Sequence, residues 1–271
     1  FLAAGSGGRM VLLGAPLDQT TSFRPGARFA PERIREVSDA LEEYSPLLDR
    51  GLDEIEFEDL GDLVLPFGDL EGSLRLIEEA AADLVGRGRL PLVLGGEHLV
   101  SLPILRAMGR CYPDLVFLQF DAHADLRDEY LGQADSHATV VRRIVDLIGG
   151  ERVYQFGIRS GTREEFCFGR ANTRFFPGGL GGLEAVLGEL APHPVYLSID
   201  IDVVDPAFAP GTGTPEAGGI GSRELLEALY ALKDLRLVGM DIVEVCPPVD
   251  AGDITALLAA KLVREALLLW S

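Results

Sequence analysis

The sequence predicts a three-layer α/β/α fold on a mostly parallel sheet, and two observations carry that expectation. Short apolar runs recur through the 271 residues, and segments with helical spacing fall between them. The runs are apolar at successive positions, so both faces of each strand must be covered, as helices cover a parallel sheet.

The first expected strand is 11–13, followed by a helix over 31–41 with Pro31 in its first turn. A helix over 74–85 leads into the strand 90–94. The strand 115–120 precedes a helix over 139–148, and the strand 153–158 precedes a helix over 183–190. Next come the strand 195–199, a helix over 222–232 with Ser222 as its N-cap, and the strand 235–240. The segment 254–270 is the most apolar, but Lys261, Arg264 and Glu265 interrupt it, so an amphipathic helix is expected there and not a membrane span. No repeat or linker-like composition divides the chain, so 1–271 is read as one catalytic domain.

Twenty-four Lys plus Arg against 43 Asp plus Glu leave a formal charge of −19. The cations are dispersed, which excludes the clustered basic surface that a nucleic acid requires. The acidic field instead favours cationic small molecules or metal ions. Cys111, Cys167 and Cys246 are too few and too scattered for a disulfide framework or a thiolate zinc site, and no basic run followed by an apolar stretch opens the sequence. The cytoplasm is the expected compartment.

In open α/β sheets ligands bind beyond the carboxyl ends of the strands. Three such exits are unusual: Gly95-Gly96-Glu97-His98, Asp121-Ala122-His123-Ala124-Asp125 and Asp200-Ile201-Asp202. In extended backbone Asp121, His123 and Asp125 would share one face, as would Asp200 and Asp202. Four converging carboxylates repel one another by on the order of 4 kcal/mol per pair at 4 Å and an effective dielectric near 20. Two divalent cations would neutralise them, with His98 and His123 completing the ligand shells, and such an oxygen-rich set without thiolate suits manganese. A pair of ions lowers the pKa of a bridging water and makes a hydroxide nucleophile, so hydrolysis is the expected reaction. The long irregular segment 203–221 is expected to be functional, whereas His193, between two prolines, reads as a turn.

These motifs, together with Ser136-His137, Asp205-Pro206, Gly211-Thr212-Gly213-Thr214-Pro215, Val243-Glu244-Val245 and the early Thr21-Ser22-Phe23-Arg24-Pro25-Gly26, resemble the arginase/agmatinase ureohydrolases, most closely the agmatinase branch. The resemblance covers nearly the whole chain. It implies an arginase-like fold, two Mn²⁺ ions and a homo-oligomer, trimer or hexamer. One ion would be held by His98, Asp121, Asp125 and Asp200, the other by Asp121, His123, Asp200 and Asp202, with Asp121 and Asp200 bridging. It further implies Asp125 beside the bridging hydroxide, Glu244 against the substrate guanidinium, His137 as a proton shuttle and Thr214 lining the pocket. Glu97 stands where many relatives have Asp, and Leu99 and Ala138 replace residues that are commonly Ser and Gly; these departures are expected to reshape the pocket entrance.

Agmatine is the expected substrate, cleaved to putrescine and urea. The segment 126–136 holds Asp128, Glu129 and Asp135 against the single cation Arg127, which would repel an α-carboxylate. The alternatives are an arginase or guanidinobutyrase-type amidinohydrolase, a dinuclear metallophosphoesterase, for which only Arg127 and Arg159 offer cations, and a non-catalytic metal-binding relative.

Overall fold

A computed structural model describes residues 1–271. Its elements run β1 Met10–Ala15, α1 Ala30–Ser38, β2 Tyr44–Ser45, β3 Arg50–Gly51, β4 Phe57–Asp62, α2 Leu70–Gly86, β5 Leu90–Gly95, α3 Ser101–Gly109 and β6 Val116–Phe120. They continue with α4 Val140–Ile148, β7 Val153–Ile158, α5 Arg163–Asn172, β8 Arg174–Pro177, α6 Leu183–Leu190, β9 Val195–Asp200, α7 Ser222–Ala231, β10 Leu237–Val243 and α8 Ile254–Trp270.

Eight strands form one sheet in the order β4-β1-β5-β10-β9-β6-β7-β8, every pair parallel. The sole antiparallel pair is the small β2-β3 ribbon. Alternate side chains of the central strands enter two main cores. Val116, Leu118 and Phe120 join residues of α1, α6, α7 and α8 on one face, and Phe117 joins residues of α2, α3 and α4 on the other. The expected three-layer α/β/α arrangement is therefore present.

Several expectations are corrected. The edge strands β4 and β8 and the helices α3 and α5 were not predicted. Half of β4, Phe57-Glu58-Asp59-Leu60-Gly61-Asp62, is acidic, because at the sheet edge every residue but Phe57 is at least partly exposed. Ser222 does not cap α7; Gly221 is the N-cap, and its N–H donates to Glu224 Oε2 at 2.8 Å. The last strand runs three residues past Met240, which carries Asp241 into the sheet and leaves Glu244 at its exit. Helix α8 keeps only a narrow outer face, with Ile254 exposed and Leu257 and Lys261 half-buried, and its charged Arg264 and Glu265 are buried. They pair with each other, Glu265 accepts from Ser45 Oγ at 2.6 Å, and Arg264 donates to the Glu42 carbonyl at 2.7 Å. No helix is long and apolar enough to cross a membrane.

Candidate metal centre and active site

The four central strands β5, β10, β9 and β6 are neighbours, and their exits carry His98, Glu244, the Asp200–Asp202 pair and Asp121 with His123 and Asp125. At the first exit a Cβ on Gly96 would stand 1.8 Å from the Leu17 carbonyl oxygen, so only glycine lets the two segments pass.

The aspartates converge, though not by the extended alternation expected of them. Strand β6 ends at Phe120, Asp125 has φ 52°, and Asp202 lies in a 3₁₀ turn over Ile201–Val203. Where the sheet ladder stops, backbone N–H groups lose their partners and nearby carboxylates take them. Asp200 Oδ1 accepts from the Asp202 N–H at 2.9 Å, and Asp202 Oδ1 accepts from the Ala122 N–H at 3.0 Å. These bonds bend the chain into turns and aim the remaining carboxylate oxygens at a common point.

His98 Nδ1 lies 3.0 Å from Asp121 Oδ2, 3.1 Å from Asp125 Oδ2 and 3.5 Å from Asp200 Oδ2. His123 Nδ1 lies 2.8 Å from Asp202 Oδ2 and 3.8 Å from Asp121 Oδ1. Two groups of ligand atoms close enough to share an ion result, His98-Asp121-Asp125 and Asp121-His123-Asp202, with Asp121 common to both. Asp200 approaches His98 from outside these two groups.

Whether a cation fits can be judged from His98. Ser198 Oγ donates its proton to Asp241 Oδ1 at 2.6 Å, so toward His98 Nε2, 3.0 Å away, it can only accept. Nε2 is therefore protonated, and the buried Nδ1 faces carboxylates, where either a second proton or a metal ion can sit; burial opposes that proton, yet Asp121 and Asp125 favour it, so the His98 pKa stands well above its usual value. Such a contact requires a positive charge between the groups. Burial raises the Asp121 carboxyl to about 7, helped by the charges of Asp125 and Asp202; burial, with Asp202 and Asp121, also raises Asp200. Burial opposes charge on His123, yet Asp202 lifts its pKa to about 10, while burial of Asp202 is outweighed by His123, which holds that carboxyl at about 2. A cluster that draws in protons this way is one that divalent cations would occupy in their place. The residues present fit two such ions.

A cleft of about 300 Å³ opens above the cluster, lined among others by Glu244, Thr214, His137, Arg127, Tyr130 and Glu165. Glu244 has φ 63°; its N–H donates to the Gly96 carbonyl at 2.9 Å and its Oε1 accepts from the His98 N–H at 2.8 Å. Burial raises its carboxyl to about 8. Asp125 and Glu244 are thus both non-glycine residues in the left-handed region, a strain that a packed functional site can sustain. Thr214 Oγ1 is 3.4 Å from Asp202 Oδ2. His137 stands at the mouth between Thr20 and Ser22, edge-on to Tyr130 at 5.7 Å, and burial holds its pKa below 6.5.

The charge count over 126–136 is corrected by this geometry. Asp128 pairs with Arg143 at 2.8 Å, Asp135 lies 3.7 Å from Arg106, and Glu129 is exposed away from the cleft. Only Arg127 and Tyr130 of that segment are cleft-lining. Of the three departures noted in sequence, Ala138 lines the cleft, whereas Glu97 and Leu99 are buried beneath it. Arg159 offers nothing to a phosphate, because it donates to the carbonyls of Asp202 and Glu216, each at 2.7 Å, and clasps the 203–221 loop.

Some supporting residues went unnoticed in sequence. Gln155 donates to Gln119 Oε1 at 2.9 Å, and Gln119 donates to Asp121 Oδ2 at 2.6 Å. Asp241 accepts from Ser198, Ser101 and Tyr196 at 2.6 to 2.7 Å. The available signal was a polar residue inside an otherwise apolar strand. Glu165, which accepts from the Thr162 N–H at 2.8 Å and the Leu126 N–H at 3.1 Å, gave no such signal.

Acids and imidazoles gathered at the central exits of an all-parallel sheet make this end of the molecule the candidate metal centre. The chain belongs to the arginase family, whose model matches residues 8–269. It is 53% identical over 267 residues to the agmatinase of Bacillus cereus, covering 97% of this chain and 92% of that protein. It is 38% identical over 268 residues to the guanidinobutyrase of Pseudomonas aeruginosa, covering 94% and 84%. The crystal structure of agmatine ureohydrolase of Thermoplasma volcanium superposes with a TM-score of 0.90 at 33% identity, covering 99% of this chain and 92% of that one.

Proposed function

We propose that this chain, acting over residues 1–271 as one catalytic unit in the cytoplasm, hydrolyses agmatine to putrescine and urea with two Mn²⁺ ions. His98, Asp121, Asp125 and Asp200 would hold one ion, and Asp121, His123, Asp200 and Asp202 the other. Bound there, the pair of ions supplies the acidity that makes water a nucleophile at neutral pH.

The rest of the reaction falls to the protein. Glu244, fixed at both its N–H and its carboxylate, receives the guanidinium and holds its carbon toward the ligand cluster. Thr214 and Asp125 line the same space. Cleavage requires a proton on the departing amine nitrogen, and His137, neutral at physiological pH because burial lowers its pKa, can take a proton and return it there.

The observation that carries the choice of substrate is the state of Arg127, the one cationic side chain in the cleft apart from histidines. Its Nε is 3.5 Å from Glu165 Oε2 and its guanidinium carbon 4.8 Å from the Tyr130 ring centroid. A substrate carboxylate finds no uncommitted cation, whereas an ammonium meets carboxylates. The 53% identity to an agmatinase supports the same reading. Arg127 also favours the second reading, a guanidino acid, because its side chain is 37% exposed and a carboxylate could displace Glu165 from it. Urea release from agmatine, arginine and 4-guanidinobutyrate distinguishes them: agmatine is expected to give the highest kcat/KM, and preference for either of the others overturns the assignment.

A further inference from the structure

Beneath the cleft, Glu97 is fully buried and belongs to neither the ligand cluster nor the cleft lining. It collects three donors from one segment: the Thr20 N–H at 2.8 Å, the Thr20 hydroxyl at 2.9 Å and the Thr21 hydroxyl at 3.2 Å. The Thr20 oxygen is also 3.0 Å from the His137 N–H and 3.3 Å from His137 Nδ1. On the far side of the ring, Ser22 Oγ is 3.2 Å from Nε2.

A hydroxyl has one proton to give. With Glu97 ionised, Thr20 gives its proton to Oε1, so both contacts from His137 to Thr20 Oγ1 must be donated by His137. The ring proton of neutral His137 is then on Nδ1, and Nε2 is left as a lone pair toward Ser22. We propose that Glu97 is a positioning residue which, through Thr20, fixes the tautomer of His137 and so selects Nε2 as the nitrogen that takes and returns the proton. The inference rests on the reading of His137 as the proton carrier, but the tautomer itself is measurable without any turnover.

The test is nitrogen NMR of the full chain labelled with ¹⁵N-histidine, with Mg²⁺ as a diamagnetic ion. Only four histidines contribute, and the His137 signals are those lost in His137→Asn. The wild-type chain is expected to show Nδ1 protonated and Nε2 bare. In Glu97→Gln the carboxamide oxygen keeps the Thr20 N–H and its NH₂ donates to the Thr20 oxygen, freeing the threonine proton for Nδ1. The His137 signals should exchange roles, and kcat should fall roughly 10- to 100-fold with KM little changed, short of the 10²–10⁴-fold that a whole proton-transfer group contributes. Should Glu97→Gln not fold, Thr20→Val is expected to mix the two tautomers and Thr20→Ser to preserve the wild-type one. A wild-type ring protonated on Nε2, or identical His137 signals in wild type and Thr20→Val, overturns the proposal. Full urea release by His137→Asn would instead sink the proton-carrier reading and leave the tautomer result standing.

Discussion

The backbone N–H of His98 donates to Glu244 Oε1 at 2.8 Å, joining the exit of β5 to the exit of β10 through the carboxylate expected to meet the substrate. One oxygen of Glu244 is thereby spent on positioning and the other is left for the guanidinium. Glu244→Gln keeps the size and the contact with His98 but cannot ionise when the guanidinium arrives. Losing one partner of a buried charged hydrogen bond costs about 2–5 kcal/mol, so kcat/KM should drop on the order of 10²-fold or more while metal content is unchanged. Steady-state kinetics beside metal analysis checks both halves.

Asp241 is predicted to act on metal affinity from inside the sheet. Its three hydroxyl donors turn Ser198 into an acceptor for His98 Nε2–H, which leaves Nδ1 free for a ligand. Asp241→Asn sets an amide N–H against one of those hydroxyls and releases Ser198 to rotate. Outer partners of this kind are worth 10–100-fold in affinity as an order of magnitude. Titration of metal into the variant should show that loss, with kcat restored at saturating metal.

Stability should couple metal to pH with a definite sign. In the metal-free chain His123 has a folded pKa raised from 6.5 to about 10, so its contribution is complete below 6.5 and lost as pH rises through 10. Asp121, raised from 3.8 to about 7 by burial, likewise costs stability as pH climbs through that range. Bound ions replace those protons. The gain in Tm on adding Mn²⁺ should therefore widen steadily between pH 6.5 and 9, and a gain that narrows with rising pH would contradict the cluster described.

Much of the fold was legible because it rests on continuous apolar runs. β5, β7 and β9 begin and end within a residue of expectation, since their residues are buried on both faces. What escaped were elements whose stability lies elsewhere. β8 is a four-residue edge with no buried side chain, and α3 follows a 3₁₀ turn over His98–Val100, with Pro103 in its first turn and apolar residues on most sides. The acids and imidazoles of the cluster were visible because they crowd three strand exits. The hold of Thr20 and Ser22 on His137 spans more than 110 residues between two loops, and no local pattern encodes a contact of that kind. The charge count over 126–136 failed for a related reason: composition gives the sign of a side chain and not its direction.

In the proposed reaction six side chains hold two ions, and both ions are needed. Metal-free protein titrated with Mn²⁺, with bound ions counted and urea release from agmatine followed at each point, tests it directly. Activity should rise only as the second equivalent binds, and His123→Ala or Asp202→Ala should bind one equivalent and lose nearly all turnover. Full activity with one ion bound per chain would rule out a reaction that needs the pair.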